Sequence, residues 1–80
     1  MNREQLLTRV AATVSTLAET NGSPESMLYL AFGMNLSEYE ILRDVLLRAK
    51  LVTISGHYVK LTAEGEKVAV SLNSVIEEKN

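Results

Sequence analysis

The hydrophobic period of this chain changes twice, and both changes are abrupt. Up to Lys50 the apolar residues recur at steps of three and four, the spacing of one helical face. From Leu51 the pattern becomes β-branched: Leu51-Val52-Thr53-Ile54-Ser55, then Tyr58-Val59-Lys60-Leu61. Gly56-His57 between the two runs reads as a tight turn. After Thr62 the helical spacing returns. A two-stranded hairpin is marginal by itself, so this one needs helices packed behind it.

The helices can be bounded from their punctuation. The first is predicted over Arg3–Thr20, with Leu6, Leu7, Val10, Ala11, Val14, Leu17 and Ala18 on one stripe. Asn21-Gly22 ends it, because both residues tolerate positive φ. Ser23-Pro24-Glu25 begins the second, with Ser23 as cap, Pro24 where no donor is needed and Glu25 at the positive end of the dipole. This helix is predicted from Pro24 to about Phe32, with Met27, Leu28, Ala31 and Phe32 inward and Gly33 as its stop. Ser37 and Glu40 read as a capping box for a third helix, Glu38 to about Lys50. Its stripe is Ile41, Leu42, Val45, Leu46 and Ala49. Thr62 caps the last helix, from Ala63 to about Glu78, whose stripe is Gly65, Val68, Ala69, Leu72, Val75 and Ile76.

The expected fold class is mainly α with a small β-hairpin, in the order helix, helix, helix, strand, strand, helix. With 80 residues, the chain forms one domain over residues 1–80. The expected core is Leu6, Val10, Val14, Leu28, Phe32, Ile41, Leu42, Val45, Leu46, Leu51, Leu61, Val68 and Leu72.

Composition narrows the chemistry. There is no cysteine, hence no disulfide framework and no thiolate metal site. His57 is the single histidine, so a metal ion finds no second imidazole. No glycine-rich phosphate loop, no serine–histidine–acid constellation and no cofactor motif is present. The carboxylate pairs Glu38/Glu40 and Glu64/Glu66 flank helix starts, where acids favour the dipole; no enzyme activity, cofactor or catalytic residue is expected. No signal peptide is read at the start. The longest nearly apolar stretch, Met27 to Met34, falls far short of the ~20 residues that span a bilayer. A cytoplasmic protein with no membrane partner is the expectation. Net charge is −2 and the pI about 5.3, without the basic balance common in nucleic-acid binders. Only residues 51–61, which carry Lys60, form a positive segment.

Leu51-Val52, Gly56 and Tyr58-Val59-Lys60-Leu61-Thr62-Ala63-Glu64-Gly65 resemble a signature of small bacterial and archaeal regulators: leucine-valine, a turn, tyrosine-x-leucine-threonine-x-x-glycine. The resemblance is to winged helix-turn-helix proteins of the MarR, PadR and ArsR-like groups, and it covers roughly Ser23 to Val70. It implies a winged helix-turn-helix fold, with Leu51 and Leu61 facing the core and Gly65 letting the last helix approach the hairpin. It further implies transcription regulation through duplex DNA, and a homodimer paired through the first and last helices. The chain departs from the pattern in two places. Glu38, Glu40 and Asp44 stand among the cations of the recognition helix, and the wing tip is only Ser55-Gly56-His57.

Two readings of the surface follow. In the first, Arg43 reaches guanine edges, Arg48 and Lys50 reach phosphates, and Leu47 touches a thymine methyl. Ser37 lies near a phosphate at the helix start, while His57 and Lys60 contact DNA from the wing. In the second, Asp44 and Arg48 cancel as an i,i+4 pair, His57 is an exposed turn residue, and Tyr29 and Leu47 face a protein partner. The charge of the third helix's outer face separates them.

Overall fold

A computed structural model describes the backbone of residues 2–78 and the side chains of residues 2–72. The elements run α1 (Arg3–Thr20), β1 (Ser23–Pro24), α2 (Glu25–Ala31), α3 (Leu36–Arg48), β2 (Val52–Ser55), β3 (Tyr58–Leu61) and α4 (Ala63–Glu78). Among the described residues there are four helices and a three-stranded antiparallel sheet of order β1-β3-β2, with Thr53, Ser55, Tyr58 and Lys60 exposed on its outer face.

The first helix has the predicted bounds. Asn2 caps it: its side chain accepts from the Gln5 amide at 2.8 Å, and the Gln5 side chain accepts from the Asn2 amide at 3.2 Å. Asn21 closes it in the left-handed region at φ 59. Thr13, Val14 and Leu17 are its buried face, while Leu7 and Ala18 of the expected stripe are exposed.

Between α1 and α2 the chain departs from expectation. Ser23 is no helix cap. Ser23 and Pro24 form a third strand, pairing with Val59 and Tyr58 of β3. The residue before a proline is pushed out of the helical region, and Pro24 itself is extended, at φ −62 and ψ 146. The helix therefore starts one residue later, with no side-chain cap. Its inner face is Glu25 and Leu28, with Phe32 half-buried; Met27 and Ala31, expected inside, are exposed.

The third helix starts two residues earlier than predicted. Its capping box is Asn35 with Glu38, not Ser37 with Glu40: the Asn35 side chain accepts from the Glu38 amide at 2.9 Å and Glu38 returns the bond at 3.2 Å. The buried residues are Tyr39, Leu42 and Leu46, at steps of three and four. Ile41 was expected in the core and is 50 % exposed instead. The buried stripe includes Tyr39, which rotates Ile41 outward. Lys50, expected inside the helix, lies beyond it in the left-handed region at φ 59.

The hairpin matches its predicted place. Gly56 at φ 56 and His57 at φ 63 make the doubly left-handed turn that suits the twist of two strands. Val52, Ile54, Val59 and Leu61 line the inner face, with Val52 and Val59 fully buried. Thr62 starts α4 as predicted: its hydroxyl accepts from the Gly65 amide at 3.1 Å and donates to the Lys50 carbonyl at 2.6 Å. Gly65 presses α4 onto the hairpin. A Cβ there would collide with the Leu51 carbonyl oxygen and lie 2.9 Å from Leu61 Cδ2.

The core gathers Val14, Leu17, Leu28, Met34, Tyr39, Leu42, Leu46, Val52, Val59 and Ala69. Leu6, Val10, Phe32, Leu51, Leu61, Val68 and Leu72 are partly buried around it. Val45 is also half-buried. α1 packs along α4 and also touches α3 and β3. The described parts of the two apolar stripes expected to build a dimer therefore pack together within one chain; Leu7 of the first stripe is exposed, and so is Val70 beside the second. The side chains of Val75 and Ile76 lie outside the described residues. Among the described residues no helix is long and apolar enough to cross a membrane.

Candidate functional site

The outer face of α3 consists of Ser37, Glu40, Ile41, Asp44, Leu47 and Arg48, all exposed. Helical spacing places them opposite Tyr39, Leu42 and Leu46. Arg48 is bound by its own helix: Nε lies 3.1 Å from Asp44 Oδ2. With Glu40 beside that pair, the face carries two acids against one arginine. Ile41 and Leu47, 50 % and 42 % exposed, stand on it as apolar side chains. Ser37 is the second residue of the helix and exposed, although it does not cap it.

Arg43 turns away from this face. Its Nη1 lies 3.4 Å from Glu25 Oε1, and its guanidinium sits 5.9 Å from the Tyr39 ring centre. Glu25 is the centre of a polar cluster absent from the expectations. The Tyr39 hydroxyl donates to Oε1 at 2.9 Å, and His57 Nδ1 lies 3.1 Å from Oε2. The Glu25 amide also donates to the His57 carbonyl at 2.8 Å. One carboxylate thus ties α2, α3 and the β2–β3 turn together. Burial pushes the Glu25 carboxyl up, but the hydrogen bonds from His57, Tyr39 and Arg43 outweigh it and hold the group below its usual value. Burial, then the bond to Glu25, raises the Tyr39 hydroxyl.

The signal for this cluster was present in the sequence. Glu25, Leu28 and Phe32 follow steps of three and four, so an inward Leu28 implies an inward Glu25. Tyr39, Leu42 and Leu46 repeat that spacing. An acid just after a proline at a helix start reads more readily as a dipole partner, which hides the second role.

The remaining predicted residues do not join one surface. Lys60, on β3, holds its Nζ 6.0 Å from the Tyr58 ring centre and lines a hollow with Leu17, Asn21 and Glu66. Arg43 and His57 line a different groove of about 440 Å³, with Tyr29, Leu36 and Glu40. Lys50 is exposed and contributes its carbonyl to Thr62. Tyr29 is half-buried, its ring centre 5.4 Å from that of Tyr39. It lines the groove with Arg43 and His57.

The structure therefore brings Arg43 and His57 together and separates both from Lys60. It also joins Arg48 to an acid. Protein-family models, curated proteins and solved structures all fail to match this chain.

Proposed function

We propose that the chain is a winged-helix domain that docks a protein partner through the outer face of α3. Two helices, a tight connector, a hairpin and a further helix support the winged helix-turn-helix assignment. In that frame α3 stands where a recognition helix stands, and the β2–β3 turn is the wing.

The observation that carries the partner class is the charge of the outer face. A duplex is held chiefly through phosphates, each met by a free cation. Here the central pair, Asp44 and Arg48, neutralises itself, Glu40 adds an acid with no ion-pair partner among the described residues, and Arg43 bonds inward. What the face offers is Ile41 and Leu47 around that pair. Such a face, with apolar side chains to bury and few net charges, suits a protein partner better than a polyanion. Any homodimer would use Leu7 and Val70, the exposed large apolar residues of α1 and α4 among the described residues.

A second reading, a small DNA-binding transcriptional regulator, is favoured by the arrangement itself, which sets α3 and the turn side by side around Glu25. One titration with a random duplex pool at low salt separates the two, because electrostatic attraction is strongest there. The expected result is no binding. Tight binding with a steep salt dependence overturns the protein-partner reading. A photoreactive residue at Leu47 is expected to give one discrete protein adduct in the source cells, lost on Ile41→Asp.

A further inference from the structure

A buried carboxylate with every oxygen occupied is costly to build unless its donors are well placed. Glu25 has donors of three kinds, and they are notable as a set. A tyrosine hydroxyl, a guanidinium and an imidazole are groups that also hold phosphate oxygens. Tyr39 is buried and fixed. Arg43 and His57 are not: their side chains are 39 % and 93 % exposed. Both can leave the carboxylate for a ligand in solvent without unpacking the core. The backbone bond from Glu25 to the His57 carbonyl keeps the turn in place meanwhile. The other charge lining the same groove is Glu40, which makes no bond to Arg43 or His57.

We propose that Glu25 is an internal anion: it occupies the cation cradle of the α3–turn side and so keeps that side from binding polyanions. The proposal rests on the reading of α3 as the recognition face, and it explains how a winged-helix domain can present arginine and histidine there without holding DNA.

The test uses Glu25→Gln, which keeps an oxygen acceptor for Tyr39 and Arg43 and removes the charge. The probe is a short random-sequence duplex at several salt concentrations. The variant is expected to gain binding, with a slope of log affinity against log salt steeper by about 0.9 for each cation freed. Glu40→Gln makes the same charge change in the same groove and is expected not to steepen the slope. Arg43→Gln in the Glu25→Gln background is expected to remove the gain. No binding by Glu25→Gln, or equal slopes for Glu25→Gln and Glu40→Gln, overturns the proposal.

A measurement on the unaltered chain holds even if Glu25→Gln loses its fold. On titration with inorganic phosphate, the side-chain NMR signals of Arg43 are expected to stay still. Their movement at low phosphate overturns the proposal. Duplex binding by the unaltered chain overturns the protein-partner reading; it overturns the Glu25 proposal too only if Arg43→Gln in the otherwise unaltered chain weakens it, so the two failures are distinguishable.

Discussion

Replacing Gly65 by alanine sets local preference against packing. Gly65 lies in the first turn of α4, and alanine is the better helix former by about 1 kcal/mol in a helix interior. Helix propensity alone therefore predicts a more stable protein. Packing predicts the reverse. The new Cβ would run into the Leu51 carbonyl oxygen, which is backbone and cannot rotate away. That carbonyl accepts from the Thr62 amide at 2.9 Å, where the hairpin passes into α4. Relief means lifting α4 from the hairpin or breaking this bond, and a buried unpaired group costs about 1–3 kcal/mol. Overpacking against Leu61 adds about 1–3 kcal/mol. Set against the propensity gain, the net loss is about 1–5 kcal/mol. For a domain of this size each kcal/mol lowers Tm by about 4–8 °C. Thermal unfolding by circular dichroism reads the effect directly. A Gly65→Ala protein as stable as the parent would refute the close approach of α4 to the hairpin.

Leu42, fully buried, is expected to lose about 2–5 kcal/mol on truncation to alanine, read as a lower denaturant midpoint. Asn35→Ala is expected to cost about 1 kcal/mol because it removes the cap of α3, while Ser37→Ala stays within about 0.5 kcal/mol; equal losses would put the cap elsewhere. Tyr39→Phe keeps the ring and removes the donor to Glu25, for an expected loss of about 1.5–3 kcal/mol by urea unfolding. Because the Glu25 carboxyl lies below its ordinary value of 4.5 in the folded chain, its contribution is complete above that value and fades as pH falls through the lowered one. Melting curves in acid should accordingly decline more steeply for the parent than for Glu25→Gln.

The helix–hairpin–helix frame was legible because its signals are local. Asn21-Gly22, Gly56-His57 and Thr62 act through their own backbone preferences, and all three stand where the pattern put them. What the sequence concealed depends on distant partners. Ser23-Pro24 reads as a helix start until β3 lies alongside it, thirty-odd residues later. Asn35 and Ser37 both head plausible capping boxes, and the burial of Tyr39 rather than Ile41 goes with the earlier start. The candidate site was legible only as a set of cations. Their usefulness to a ligand depends on what each one already touches, and the acid that holds Arg43 and His57 comes from another helix.

The two-residue strand also bears on how this chain behaves when crowded with copies of itself. An open sheet edge is a template for another chain. Here β3, with its alternating Val59 and Leu61, lies in the middle of the sheet, with β2 along its whole length on one side and Ser23–Pro24 against Val59 and Tyr58 on the other. The rim beyond it is only Ser23–Pro24, too short to extend a ladder, and the proline brings no N–H to offer. A strand slipping in from a neighbour would find, on that side, almost nothing to bond. Pro24→Ala would restore a donor at this rim, and the variant is the one to watch for aggregation during concentrated refolding.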